Sequence, residues 1–252
     1  DLCPMVQELA AAAGAEFSAA MVTRLGADEG RWRVTTGEGD VWARAVIIAT
    51  GTTSKVLGIP GEARLRGKGV SHCASCDGPL VRGRVVGVVG GGDSALQEAL
   101  TLAQHAARVI VLHRGTALSA QTAYCQRVRE HPKIEVRFDT IVEEVVGDGG
   151  LTGVRTRTVS DGRLADLEVA GLFVYVGLAP ATAWLDGLIA LDSSGGIPTD
   201  DAMRCPQPGL FAAGTARSGS AGRAVAAAGD GAAAAVAADL YCRNGAWPLA
   251  SA

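Results

Sequence analysis

Apolar positions fall along this chain in three patterns, and each predicts a different element. Residues 84–89, 108–112, 172–176 and 209–214 are largely apolar runs that predict buried strands, the first two as parallel neighbours, with 84–89 rich in β-branched residues as in a strand buried on both faces of a sheet. Residues 20–25, 32–36 and 41–49 are shorter apolar or alternating runs broken by Gly-Asp-Glu turns, and predict a meander. The last of these ends in Val46-Ile47-Ile48-Ala49-Thr50-Gly51, a buried strand that delivers a small-residue turn where backbone can approach a ligand. Further strands are expected at 134–138, 141–146 and 151–159, with the charges of Val154-Arg155-Thr156-Arg157 on the wet face of an antiparallel pair. Helices are predicted over 4–13, stopped by Gly14 with a short strand at 15–17 behind it, and over 94–104, 120–130 and 181–187. A long Ala-rich helix over 221–242 closes the chain, and its small residues predict close packing. Residues 58–68, with Gly58-Ile59-Pro60-Gly61 and then charges, read as a linker.

Composition narrows the class. A chain of 252 residues, 48% apolar with 34 glycines, is an ordinary α/β composition of one large domain or two smaller ones. A net charge of −3 supplies no basic footprint for nucleic acid or an anionic membrane. No apolar run reads as long and uninterrupted enough for a membrane span, and nothing at the start resembles a signal peptide. The chain opens on Asp1 rather than Met, so a trimmed piece is expected.

Of six cysteines only Cys73 and Cys76 are close, in Ser71-His72-Cys73-Ala74-Ser75-Cys76-Asp77-Gly78. A C-x-x-C brings two thiols within reach of a disulfide, and Asp77 offers a proton beside them. Zinc is the competing use, but a closed site commonly needs a second pair, and Cys3, Cys125, Cys205 and Cys242 stand alone. Two thiols in a buried turn remain a third reading. Scattered cysteines with one such pair fit a reducing cytoplasm. Downstream, Gly90-Gly91-Gly92-Asp93-Ser94-Ala95 is a G-x-G-x-x-A between a predicted strand and helix, the context of a dinucleotide turn. The next strand ends in Leu112-His113-Arg114, a cation where an NAD site usually carries an acid, which favours a 2′-phosphate.

This order of parts, closed by Pro208-Gly209-Leu210-Phe211-Ala212-Ala213-Gly214, resembles the low-molecular-weight thioredoxin reductase family. The resemblance implies an α/β fold: a split FAD-binding domain of residues 1–55 and 178–252, incomplete at its N-terminus because the family's first βαβ has no counterpart here. A Rossmann-like pyridine-nucleotide-binding domain, residues 56–177, is inserted in it and carries the redox pair. Cys73 is implied to attack the partner's disulfide, Cys76 to lie nearest the flavin, and Asp77 to act as the acid. Gly90, Gly92, Asp93, Ser94 and Ala95 would hold the dinucleotide, and His113 and Arg114 its 2′-phosphate. Thr50, Gly51, Gly214, Thr215, Arg223, Ala224 and Val225 would hold the flavin. Thr215 stands where the family usually has Asp, and Ala224 where it has Gln. The implied cofactors are FAD and NADPH, with NADH the alternative because Gly115 and Ser119 stand where arginines are usual; no metal is implied. The implied partner is a thioredoxin-like protein or a small disulfide, with no nucleic acid and no membrane, acted on by a cytoplasmic homodimer. A dithiol oxidase of the same fold using oxygen, and a flavin-poor non-catalytic subunit, are the other readings.

Overall fold

Hydrogen bonding sorts the runs by their pattern. A computed structural model of the chain describes residues 2–185, 187–245 and 247. The chain divides into two units: Ser54–Leu178, and Asp1–Thr53 with Ala179–Ala252. A two-stranded ribbon of Thr52–Ser54 and Leu178–Pro180 lies where the chain crosses between them.

In the unit Ser54–Leu178 the solid runs form a five-stranded sheet, in the order Val70–Ser71, Gly171–Val174, Val85–Val89, Arg108–Leu112 and Ile134–Arg137. Every pairing in it is parallel. Both faces are covered, which is why these runs do not alternate. Val86, Val88, Val109, Val111 and Phe173 pack with Ala95, Leu96, Ala99 and Leu102 of the helix Asp93–Leu102. Val89, Ile110, Leu112, Leu172 and Val174 pack with Val142, Val145 and Val154 of an antiparallel sheet. That second sheet comprises Thr140–Gly147, Leu151–Thr158 and Leu164–Glu168. Arg155 on it is half-exposed and bonds Glu144 and Asp166 on either side, so the expected wet stripe is an ion-paired one.

The other unit holds the meander Val22–Asp28, Arg31–Thr36 and Gly39–Ala43, all antiparallel. Val46–Ile48 instead pairs in parallel with Leu210–Ala212. The helix Ala224–Asn244 packs Ala234 with Phe211, Ala213 and Met203.

Five expectations need correction. The run 41–49 is two strands in different sheets: at Arg44-Ala45 the chain leaves the meander, and the Val46 N–H bonds Gly209 O at 2.9 Å. Residues 15–17 are irregular, because the Ala15 N–H turns back to Ala10 O and closes the first helix. The supposed linker contains a short helix, Glu62–Leu65, whose Leu65 is buried and whose Glu62 carboxylate accepts the Leu57 and Gly58 N–H groups. The helix expected over 181–187 is only a 3₁₀ turn, Ala183–Leu185, and position 186 lies outside the described residues. Finally, Ala224–Asn244 is, by length and composition, long and apolar enough to cross a membrane, because alanines raise its mean hydropathy. Its Asp230 is nevertheless buried and ion-paired to Arg217 within its own unit, which marks that face as packed on protein.

Candidate functional site

The cysteines sit where the edge strand Val70–Ser71 gives way to the four-residue helix Ala74–Asp77. They are joined as a disulfide, with Cα atoms 5.3 Å apart. The turn is set locally. The buried Ser71 Oγ accepts the Cys73 N–H at 3.0 Å, Cys73 Sγ caps the helix by accepting the Cys76 N–H at 3.1 Å, and the Asp77 N–H bonds Cys73 O. His72 Nδ1 lies 2.9 Å from Val174 O and fastens the turn to the neighbouring strand. Cys76 is exposed; Cys73 and Asp77 are half-buried. A disulfide at the surface is open to thiolate attack, unlike the buried thiols of Cys125 and Cys205. Burial pushes the Cys205 thiol up to about 12, with the Asp200 charge adding to the effect, so it stays protonated at neutral pH. Among the described residues no group of three or more His, Cys, Asp or Glu is placed to hold a metal ion.

The glycine turn lies in the same unit. Gly90 has φ +141°, and a Cβ there would fall 2.4 Å from Tyr175 O and 2.9 Å from Ala95 Cβ, so both small residues are sterically required. Gly92 differs: the nearest atom to a Cβ there is Ser119 Oγ at 3.8 Å, which leaves open space beside the backbone. Gly92 is also the N-cap of the helix Asp93–Leu102 and gives it no side-chain cap. The first N–H groups of that helix, at Asp93 and Ser94, therefore suit the pyrophosphate of a dinucleotide. The Asp93 carboxylate accepts the N–H and the Nε2 of Gln121, both at 2.7 Å, and ties the following loop to the turn. Ser119 and Ala120 donate their N–H groups to Gly91 O. His113 is part of this construction, because a Cβ on Gly91 would lie 2.3 Å from its Nδ1, and its Nε2 is 2.9 Å from Ala117 O. Arg114 is exposed. Of the two residues expected at a 2′-phosphate, then, Arg114 stands in solvent and His113 is built into the loop.

The residues expected at the flavin gather in the other unit. Gly51 and Gly214 have φ +68° and +69°, and a Cβ on Gly51 would be 3.8 Å from Thr215 Oγ1. Thr50 Oγ1 donates to Ala181 O, and the Ala181 N–H returns to Gly51 O. Arg223 is the N-cap of the helix Ala224–Asn244 with no side-chain cap bond, and Ala224 and Val225 are exposed on its first turn. An open helix N-terminus and a glycine-lined turn fit a diphosphate carrying a polyol chain.

Two residues with a clear part here were not anticipated. Asp230 accepts the Gly214 N–H at 3.1 Å and pairs with Arg217 through Nε at 2.7 Å and Nη2 at 2.9 Å. The Arg217 bonds hold its carboxyl below the usual carboxylate range. A lone acid inside an Ala/Gly run was the available signal. A groove of about 600 Å³ lined by Arg84, Thr152, Arg155, Asp166 and Glu168 contains neither the cysteines nor the glycine turn.

Comparison with known proteins agrees with this geometry. The pyridine nucleotide-disulphide oxidoreductase family matches residues 9–231. The thioredoxin reductase of Treponema pallidum is 39% identical over 236 residues, 94% of this chain and 76% of the relative. That of Listeria monocytogenes is 43% identical over 199 residues, 79% of this chain and 62% of the relative. This chain thus spans less than two thirds of the Listeria protein. Among solved structures, Lactococcus lactis thioredoxin reductase in its FR conformation has a TM-score of 0.91 at 35% identity, covering 95% of this chain and 80% of that one. The crystal structure of T. acidophilum thioredoxin reductase has a TM-score of 0.88 at 32% identity, covering 97% of this chain and 80% of that one. A match across most of the chain, with a disulfide from Cys73 to Cys76 and a glycine turn in the same unit, leads to one assignment: the chain belongs to the pyridine nucleotide-disulphide oxidoreductases, and within them to the thioredoxin reductase family.

Proposed function

We propose that this protein reduces a disulfide on a thioredoxin-like protein or a small molecule at the expense of NADPH, with Cys73 and Cys76 as its redox centre. The observation that carries the reading is the surface disulfide Cys73–Cys76 in the same unit as an uncapped glycine turn. When bound, reduced nucleotide and FAD supply two electrons. The Cys73–Cys76 bond takes up those electrons and two protons and becomes a dithiol. One thiolate then attacks the partner's disulfide and forms a mixed disulfide, and the second thiol displaces it. The partner leaves with two electrons and two protons, and the Cys73–Cys76 bond re-forms. Asp77, which follows Cys76 in the helix Ala74–Asp77, would be the acid that protonates the departing thiolate.

Asp93, Ser94 and the Gly92 backbone would hold the nucleotide's pyrophosphate, with Arg114 toward its 2′-phosphate; Gly51, Gly214, Thr215 and the turn at Arg223–Val225 would hold the flavin. We place the enzyme in the cytoplasm as a homodimer, where a reducing nucleotide pool and a dithiol product are compatible. The relatives carry the reductase name and give no support to an oxygen-driven dithiol oxidase or to a flavin-poor subunit. The test supplies the FAD-loaded protein with NADPH and a thioredoxin-like disulfide and follows nucleotide oxidation. Consumption matched by new partner thiols is expected; oxygen uptake driven by a dithiol without NADPH would overturn the reading.

The two glycines of the turn separate fold from function. Gly90→Ala meets backbone and has a left-handed φ, so it lowers stability by about 1–3 kcal/mol in a thermal melt. Gly92→Ala meets nothing closer than 3.8 Å in the free protein, so the melt is unchanged while NADPH binds on the order of tenfold more weakly by calorimetry.

A further inference from the structure

Tyr175 touches both halves of the reductase site, although nothing in the proposed chemistry uses it. Its N–H bonds Val89 O at 2.8 Å, on the strand that feeds the glycine turn, and its carbonyl lies against Gly90. Its hydroxyl accepts the N–H of Ala74 at 3.1 Å, at the first residue of the helix that carries Cys76 and Asp77. Ala74 is fully buried, so without the phenol that N–H has no water to turn to. Beside the hydroxyl stands Glu98 of the helix Asp93–Leu102. One Glu98 oxygen, Oε2, is buried with no partner among the described residues. Burial first, and then the Glu98 charge, pushes the phenol well above its ordinary range, so it remains a neutral donor and acceptor.

We infer that Tyr175 and Glu98 are positioning residues for the redox pair: the phenol fixes the cysteine-bearing helix by its first N–H and keeps the Glu98 charge behind it, so that together they set the pH at which the reduced cysteines ionise. A negative charge behind the pair opposes thiolate formation, and the strength of that opposition governs how readily the dithiol attacks. The other titratable groups around the segment come from its neighbours on every side. Asp77 lies on the helix itself and acts on the same phenol; His72 precedes it and is bonded to Val174 O; the ring of His105, beyond the helix Asp93–Leu102, lies against Gly78. None of these is altered by the variants below.

The inference rests on the reductase reading only in taking the pair as redox-active, and its test needs no bound cofactor. The chain is reduced with dithiothreitol, freed of it, and alkylated with iodoacetamide across a pH series, with the peptide bearing Cys73 and Cys76 followed by mass. In Glu98→Gln the midpoint of alkylation falls by on the order of 0.5–1 pH unit. Tyr175→Phe moves it in the same direction, because the Ala74 N–H, at the start of the helix that carries Cys76, loses its phenol acceptor and is freed to favour a thiolate. The double variant moves no further than the larger single one, the sign of a coupled unit. A midpoint that is unmoved or raised in either variant overturns the inference, whatever happens to the melting temperature, since a purely structural role changes the melt and not the titration. Shifted midpoints in a protein that never oxidises NADPH would sink the reductase reading alone.

Discussion

Cys76→Ser abolishes disulfide reduction, lowering turnover by on the order of a thousandfold or more, while the protein stays folded. The substitution is close to isosteric, and the backbone bond it touches, Cys76 N–H to Cys73 Sγ, survives. What it removes is the partner with which Cys73 closes its disulfide. A single thiol can still attack a partner, but the mixed disulfide then has no second thiol to resolve it, and the cycle stops there. Loss of so short a cross-link changes stability by no more than about 2 kcal/mol. Cys205→Ala is the control. That thiol is buried and held protonated, so its removal leaves turnover unchanged. Steady-state NADPH oxidation with a disulfide substrate, read beside a thermal melt, checks both variants.

Asp230→Asn is the substitution with the largest effect on stability, about 3–5 kcal/mol at neutral pH. The Asp230 side chain is 9% exposed and that of Arg217 20% exposed, so neither charge is well hydrated without the other. Asn keeps the size and one acceptor, and leaves the guanidinium facing a neutral amide. The Gly214 N–H loses a charged acceptor at the same time, at the turn expected to meet the flavin. The effect carries a pH signature. The folded pKa of Asp230 lies below its unfolded value of about 3.9, so its stabilisation is complete above that value and fades as pH falls through the folded pKa. The stability gap between the native protein and Asp230→Asn therefore closes in strong acid. Denaturant melts at neutral and at acid pH measure it, and a gap that persists unchanged at the lowest pH would contradict the assignment.

Much of this architecture was legible because burial on two faces leaves a mark on composition. Val85–Val89 and Arg108–Leu112 read as parallel strands since each must suit a helix on one side and a sheet on the other. That the chain turns tightly at Gly90 was legible for the same kind of reason, since only residues without bulk fit against Tyr175 O and the helix. What was not legible depended on partners distant in the chain. Nothing local at Arg44-Ala45 announces that the strand changes sheets, because the acceptor that redirects it is Gly209 O. The strand Leu164–Glu168 is an edge, mostly exposed, and so has no apolar alternation to betray it. Tyr175 looked like one more apolar residue in a solid run; its hydroxyl matters only once the fold brings Ala74 to it. The packing of His113 on Gly91 was hidden for the same reason, because it depends on the path of the loop to Gln121.

The central claim is that electrons from a pyridine nucleotide arrive at Cys73 and Cys76. It is tested most directly by counting thiols. The FAD-loaded protein is mixed with NADPH under argon, alkylated and digested. The account predicts two newly modified thiols per chain, at Cys73 and Cys76, with Cys125 and Cys205 unchanged from the untreated protein; no new thiols, or new thiols anywhere but at this pair, would contradict it.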